Sequence, residues 1–125
     1  MTRLLLIGCG GFIGAIARYG VTLWVQGQVP SRVPLGTMTV NVLGCFLLGF
    51  LAAYLSARPG TDEHASAFLR VGLLGAFTTF STLGFETVEL FSTGQYRAGL
   101  LSLFGNLLLG GIGVLAGAAA GRACC

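Results

Sequence analysis

Hydrophobic residues fall in four long runs, and short polar stretches separate them. The runs cover about 4–25, 35–57, 68–91 and 97–120. Each reaches the roughly 20 apolar residues that cross a bilayer as a helix. The pattern predicts an all-α membrane protein with four transmembrane helices, forming a single transmembrane domain over residues 1–125. Pro30, Arg32 and Pro34 mark the first connection, and 56–66 the second, which reads Arg58-Pro59-Gly60-Thr61-Asp62-Glu63-His64 at its centre. His64 reads as a solvated loop residue. A short turn around Gly94 makes the third connection. Met1-Thr2-Arg3 followed by Leu4-Leu5-Leu6-Ile7 has the start of a signal peptide, but the apolar run continues well past a signal-peptide core, so it reads as a true span.

The third run departs from a lipid-facing pattern. Between Gly72 and Glu86 it places hydroxyls at Thr78, Thr79, Ser81 and Thr82, flanked by Gly75 and Gly84. Hydroxyls and helix-weakening glycines at membrane depth belong where backbone lines a cavity or is buried in protein. This stretch is therefore the expected functional centre, with a broken or loosened helix. Carbonyls freed around Gly75 to Thr78 would be acceptors able to hold a monovalent cation. Phe77 and Phe80 interleave with the hydroxyls. Packing is the plain reading of both rings; the other is that a ring edge, the positive part of the aromatic quadrupole, faces a small anion.

Polar residues in the other runs are few. Asn41 is the strongly polar side chain of the second run and shares a helical face with Thr37 and Gly44. Two roles are open to it, interhelical glue and pore lining, because an amide in lipid needs protein or water as partner. Arg18 comes late in the first run, beside Tyr19 and Trp24. It either snorkels to the interface or serves a function within the membrane. Asn106 is the mid-span amide of the fourth run. Glu86 and Glu89 fall toward the end of the third, where an interfacial carboxylate is cheap. Small residues recur at helical spacing: Gly10, Gly14 and Ala17, with Gly11 and Ala15 beside them, then Gly113, Gly117 and Gly121. Such faces let helices approach closely in lipid.

Composition narrows the function. The chain is 54% hydrophobic and 9% charged, with 21 glycines, which leaves no room for a soluble catalytic domain. Its net charge of +3 comes from seven arginines spread along the chain. These read as topology signals and not as a nucleic-acid patch. Arg3, Arg58, Arg122 and Arg70 lie to one side and Arg32 and Arg97 to the other, a weak bias that permits insertion in both orientations. Cys9 and Cys45 read as small buried hydrophobes, and Cys124 and Cys125 as an exposed terminal pair without ligand spacing. No catalytic constellation or phosphate-cradling loop is present, so the chain is not read as an enzyme. The membrane-embedded groups are donors and amphoteric groups, suited to an anion or a neutral solute.

Three ordered motifs carry a resemblance. Gly10-Gly11-Phe12-Ile13-Gly14-Ala15-Ile16-Ala17-Arg18-Tyr19, then Gly36-Thr37-Met38-Thr39-Val40-Asn41-Val42-Leu43-Gly44-Cys45-Phe46, and then Gly75-Ala76-Phe77-Thr78-Thr79-Phe80-Ser81-Thr82 resemble the first-, second- and third-helix motifs of the CrcB/Fluc fluoride channels. The resemblance implies a passive, fluoride-selective exporter that limits fluoride toxicity. It implies a multi-pass protein of the cell inner (plasma) membrane, built as an antiparallel dual-topology homodimer with two pores and a central structural sodium ion. By motif position, backbone carbonyls of Gly75 and Thr78 would hold the sodium. Asn41, Phe80, Ser81, Thr82 and Thr37 would line the fluoride path, with Arg18, Gly14 and Thr79 as supporting motif positions. Leu83 departs from the pattern, which carries a second phenylalanine there. One ring suffices, Phe85 or another aromatic substitutes, or conduction changes. Two other readings fit the size: a small dual-topology multidrug exporter, which needs an intramembrane carboxylate, and a non-transporting membrane assembly subunit.

Overall fold

A computed structural model describes residues 1–58, 60 and 62–124. Pro59 and Thr61 of the second connection and Cys125 of the terminal pair lie outside the described residues. All regular structure in the described residues is helical, and four helical segments are long and apolar enough to cross a membrane. Helix α1 is Thr2–Gln28 and α2 is Leu35–Ser56. The third span is composite. A short α3, Glu63–Ser66, opens it and leads into a π-helical stretch, Ala67–Leu74. There follow α4, Gly75–Phe77, and after an interruption α5, Phe80–Ser92. The last span is α6, Tyr96–Ala123.

The polar stretch expected as loop up to Ser66 thus ends earlier. Asp62 accepts the His64 N–H at 2.8 Å and starts α3, satisfying one of the donors that a helix N-terminus leaves free. His64 is exposed in that first turn. At the other end of the span, Gly94 takes a φ of 75°. Its N–H reaches Phe91 O at 3.1 Å and that of Gln95 reaches Leu90 O at 2.8 Å. These bonds close the orphan carbonyls of α5 and turn the chain into α6, the usual service of a left-handed glycine at a helix end.

Small residues set the packing. α2 lies along α6, and α1 along the π-helical stretch. A Cβ at Gly117 would run into the Phe46 carbonyl, one at Gly121 would lie 2.5 Å from Phe50 O, and one at Gly113 would lie 3.1 Å from Val42 O. Rows four residues apart on α2 and α6 therefore match step for step, so the two helices run parallel. On the other side, Gly14 abuts the Leu73 carbonyl, Gly10 faces Phe68 O at 2.5 Å, and Gly72 faces Ile7 O at 2.6 Å for an added Cβ. Ala17, expected on the same face as Gly10 and Gly14, is exposed, so the contact ends at Gly14. Cys9, expected buried, also points outward, while Cys45 is half-buried.

The glycine contacts generate a paired expectation. Gly117→Ala forces α2 and α6 apart, because the obstacle is backbone and cannot turn away. Overpacking of this kind costs about 1–3 kcal/mol. Gly111→Ala, where an added Cβ meets nothing within 4 Å, should be neutral. Thermal unfolding of the detergent-solubilised variants checks both, and equal midpoints would remove Gly117 from the interface.

Candidate functional site

The interruption falls at Thr78 and Thr79. Thr78 has φ −86° and ψ 159°, and Thr79 has φ −151° and ψ 119°, so both are extended between two helical pieces. Thr78 closes the piece before it: its N–H and its hydroxyl both donate to Leu74 O, at 3.1 and 3.2 Å. Thr79 opens the piece after it. Its Oγ1 accepts the Thr82 N–H at 3.2 Å, and its hydroxyl donates to Thr82 Oγ1 at 2.9 Å. Such a cap is worth about 1 kcal/mol. The break lies three residues after Gly75, which remains helical, because Thr78 and Thr79 and not the glycine carry the extended backbone.

Extended backbone at membrane depth needs partners from elsewhere, and α2 supplies them. Asn41 Oδ1 accepts the Thr79 N–H at 2.8 Å, and Asn41 Nδ2 donates to the Thr79 carbonyl at 3.1 Å. One side-chain amide thus takes the place of a paired backbone. The second Nδ2 hydrogen goes to Asn106 Oδ1 at 2.8 Å, and Asn106 Nδ2 donates to Ser102 O at 2.8 Å. That last bond fixes which way the Asn106 amide points, and so which way Asn41 points. Thr79, Asn41 and Asn106 are 8%, 9% and 6% exposed, so these bonds form away from water, where an unmade one is expensive.

Recesses flank the break. One of about 220 Å³ is lined by Asn41, Asn106, Thr78, Thr79, Phe80 and Leu83, among others. A second, of about 200 Å³, is lined by Arg18, Thr37, Thr79 and Thr82; the two share Thr79. Thr37, 1% exposed, donates to Glu86 Oε1 at 2.9 Å. Glu86 also lines a third recess, of about 320 Å³, with Arg32 and Glu89 near the C-terminal end of α5. Polar side chains of α5, joined by Thr37 of α2, therefore follow one another from Glu89 past Glu86 and Thr82 to the break.

The expected path residues divide by exposure. Phe80 is 76% exposed, and Ser81 and Thr82 are exposed beside it. Leu83 is 3% exposed and turns into the 220 Å³ recess, so the position that departs from the motif faces the same space as Phe80. Phe85, 70% exposed, lies outside that recess, and Phe77 is buried at 8%. Arg18 reaches inward: its Nη1 lies 3.5 Å from the Thr78 carbonyl, the outer limit of a hydrogen bond. Gly14 is packed against Leu73 and takes no part in the recesses.

Sequence reasoning underrated two residues. Glu86 was placed at the interface, yet it is half-buried on Thr37, and its Oε2 is buried with no hydrogen-bond partner among the described residues. Its position four residues after Thr82, and so on the same helical face, is the signal that would have found it. Asn106 stood out as a mid-span amide, but its partner could not be read from one helix.

The resemblance implies a cation at the break, and the residues there fit one. The N–H four residues after Gly75 belongs to Thr79 and is engaged by Asn41, which leaves the Gly75 carbonyl without its helical partner. Among the described residues the Thr78 carbonyl has only the long Arg18 contact. Neutral carbonyl oxygens freed in this way suit a hard monovalent ion.

These features define a class: a small four-span helical membrane protein whose third span is interrupted by hydroxyl-bearing residues held by amides from neighbouring helices. The family model described as CrcB-like protein, Camphor Resistance (CrcB), matches residues 5–118, and the chain belongs to that family. Among its relatives, a Dehalococcoides mccartyi protein is 41% identical over 118 residues, covering 94% of this chain and 91% of the relative. A Thermus thermophilus protein is 45% identical over 108 residues, covering 86% and 84%. One from Rhizobium meliloti is 38% identical over 123 residues, covering 98% of each. All three are named fluoride-specific ion channel FluC.

The amide bridge gives a graded expectation. Asn41→Ala strips partners from the Thr79 N–H, the Thr79 carbonyl and Asn106 Oδ1, and should destabilise by about 3 kcal/mol. Asn106→Ala removes one of those bonds and the donation to Ser102 O but leaves both Thr79 bonds in place, and should cost about 1–2 kcal/mol. Chemical or thermal unfolding in detergent ranks the two; a milder effect at Asn41 than at Asn106 would mean that the break is held by something else.

Proposed function

We propose that this chain is a fluoride-selective passive channel that exports fluoride from the cell across the inner (plasma) membrane. Two antiparallel copies would form the working unit, with two pores and a structural sodium ion between the copies. The observation that carries the reading is the outward face of the broken third span. Phe80, Ser81 and Thr82 are exposed on the subunit beside a break whose Thr79 N–H and carbonyl are already satisfied by Asn41. A ring and hydroxyls left facing outward at membrane depth call for a water-lined path or a protein partner. Relatives that bear the name of a fluoride-specific channel supply the anion.

Within this reading the residues take separate tasks. Phe80 offers a ring edge, and Ser81 and Thr82 donate hydroxyl hydrogens to a fluoride shedding water. Asn41 stands in the recess wall and keeps the break open; its donors are engaged, so it serves the path first as a strut. Arg18 places a fixed positive charge within reach of the break, which favours an anion nearby. Backbone carbonyls of Gly75 and Thr78 would hold the sodium, whose charge offsets the cost of negative charge in lipid. The half-buried Glu86 is the one feature that favours a proton-coupled exporter, but its bond to Thr37 and its place toward the end of the span leave the break itself without a carboxylate.

Purified protein in liposomes should release fluoride down its gradient and exclude chloride, read with a fluoride electrode. No fluoride release from well-folded protein would end this reading. Leu83→Phe, which adds a second ring to the recess shared with Phe80, should raise the fluoride rate a few-fold. Phe80→Leu should lower it by more than tenfold, and an unchanged rate there would take the ring off the path.

A further inference from the structure

The membrane face that carries the α1–α2 and α5–α6 connections holds a recess of about 500 Å³ unrelated to the break. It is lined by Arg32, Val33, Gln95, Tyr96, Arg97 and Leu101, among others. Its two arginines come from different elements, Arg32 from the α1–α2 connection and Arg97 from the first turn of α6, yet they line one space. Both are exposed, and neither lies within ion-pair distance of a carboxylate among the described residues. Glu86 and Glu89 line the adjoining recess, which Arg32 also borders, but no carboxylate lines this one. α6 begins here without a side-chain cap, so its first N–H groups add to the positive field.

We infer that this recess binds the phosphate headgroup of an anionic phospholipid. Arginine matches phosphate geometry in a bidentate fashion and is weakly hydrated for a cation. The apolar part of the lining favours a lipid over a free ion. Tyr96 is 63% exposed and Leu101 62% exposed, one turn or more further into the span. An aromatic at the headgroup level with an aliphatic wall below it suits a phosphate joined to acyl chains. Bound lipid would brace the α1–α2 connection against the start of α6, next to the outer end of the polar row at α5. The inference stands apart from the ion the protein conducts.

Native mass spectrometry of the purified protein, with phosphatidylglycerol or phosphatidylcholine added in detergent, reads the site directly. The protein should retain phosphatidylglycerol in preference to phosphatidylcholine, and millimolar inorganic phosphate should not displace it. Each basic residue near a membrane surface changes anionic-lipid affinity about fivefold. Arg32→Gln with Arg97→Gln should therefore cut retention about tenfold or more, and each single variant by roughly half of that on a logarithmic scale. Arg3→Gln with Arg122→Gln, an equal loss of charge at the opposite face, should retain lipid like the parent. Equal retention of the two lipids, full retention when both arginines are replaced, no effect of either single replacement, or an equal loss in the opposite-face variant would each overturn the site. Displacement by inorganic phosphate would also overturn it, because the recess would then be a free-anion site.

Discussion

A chain that leaves its helix inside a membrane must find new partners for every backbone group it frees. In this protein one side chain answers most of that demand. Asn41 gives Thr79 both an acceptor and a donor, as a neighbouring strand would, and its remaining hydrogen ties it to Asn106. Thr78 and Thr79 meanwhile close the helix before the break and open the one after it with their own hydroxyls. The interruption is therefore a satisfied structure and not a weak point. What it leaves short of partners is selective: the carbonyl of Gly75 and that of Thr78, which has only the long Arg18 contact among the described residues.

This arrangement tolerates little slippage, and the small residues explain how slippage is prevented. Asn41 meets Asn106 across α2 and α6, Cys45 Sγ would lie 3.3 Å from a Cβ at Gly110, and Gly49 abuts the Val114 carbonyl. These contacts form one row in four-residue steps. Val42, Phe46 and Phe50 against Gly113, Gly117 and Gly121 form a second row with the same step. Ridges of the same pitch lock into each other's grooves, and with glycine in the groove the lock is backbone against backbone. Moving α6 by one residue would break every contact in both rows and would turn Asn106 away from Asn41. In lipid, where apolar burial gives helices little reason to associate, such close packing is a main source of cohesion. The glycine ladder and the amide bridge are thus parts of one constraint, the first setting the register that the second needs.

Much of the architecture could be read from the chain, for physical reasons. Spans are legible because a bilayer demands long apolar runs, and the third stood out because its hydroxyls violate that demand. The glycine faces were visible because helical spacing is a property of one helix. Less could be read where the answer lies between helices. The π-helical stretch, Ala67–Leu74, has the composition of any apolar helix, and its packing against Gly10 and Gly14 of α1 is visible only in the fold. The inward turn of Glu86 depends on Thr37, and the partner of Asn41 depends on the register of α6. Glycine also misled: Gly75 suggested an earlier break, yet extended backbone suits β-branched threonine better than it needs a left-handed residue. Ala17 and Cys9 have the size for a helix contact but face outward, since size permits contact without requiring it.

The division between inner and outer polar groups bears on how the proposed channel would work. If Asn41 were free, its amide would be a natural ligand for a passing anion, but a donor already shared between Thr79 and Asn106 can be lent only by weakening the break. A conducted ion would meet less resistance from groups that hold nothing up. Ser81 and the ring of Phe80 come nearest to this, because both are exposed and neither supports another helix, and the Ser81 hydroxyl has only a 3.3 Å contact with Thr79 Oγ1 among the described residues. Leu83 then matters for its position: it is buried against the recess that Asn41 and Phe80 also line, so an aliphatic side chain sits there between the strut and the exposed ring, while Ser81 and Thr82 lie exposed beside it. On this argument the selective surface is not inside one copy at all. It lies on the outer face of α5, and the second copy in the proposal supplies the wall that a single subunit lacks.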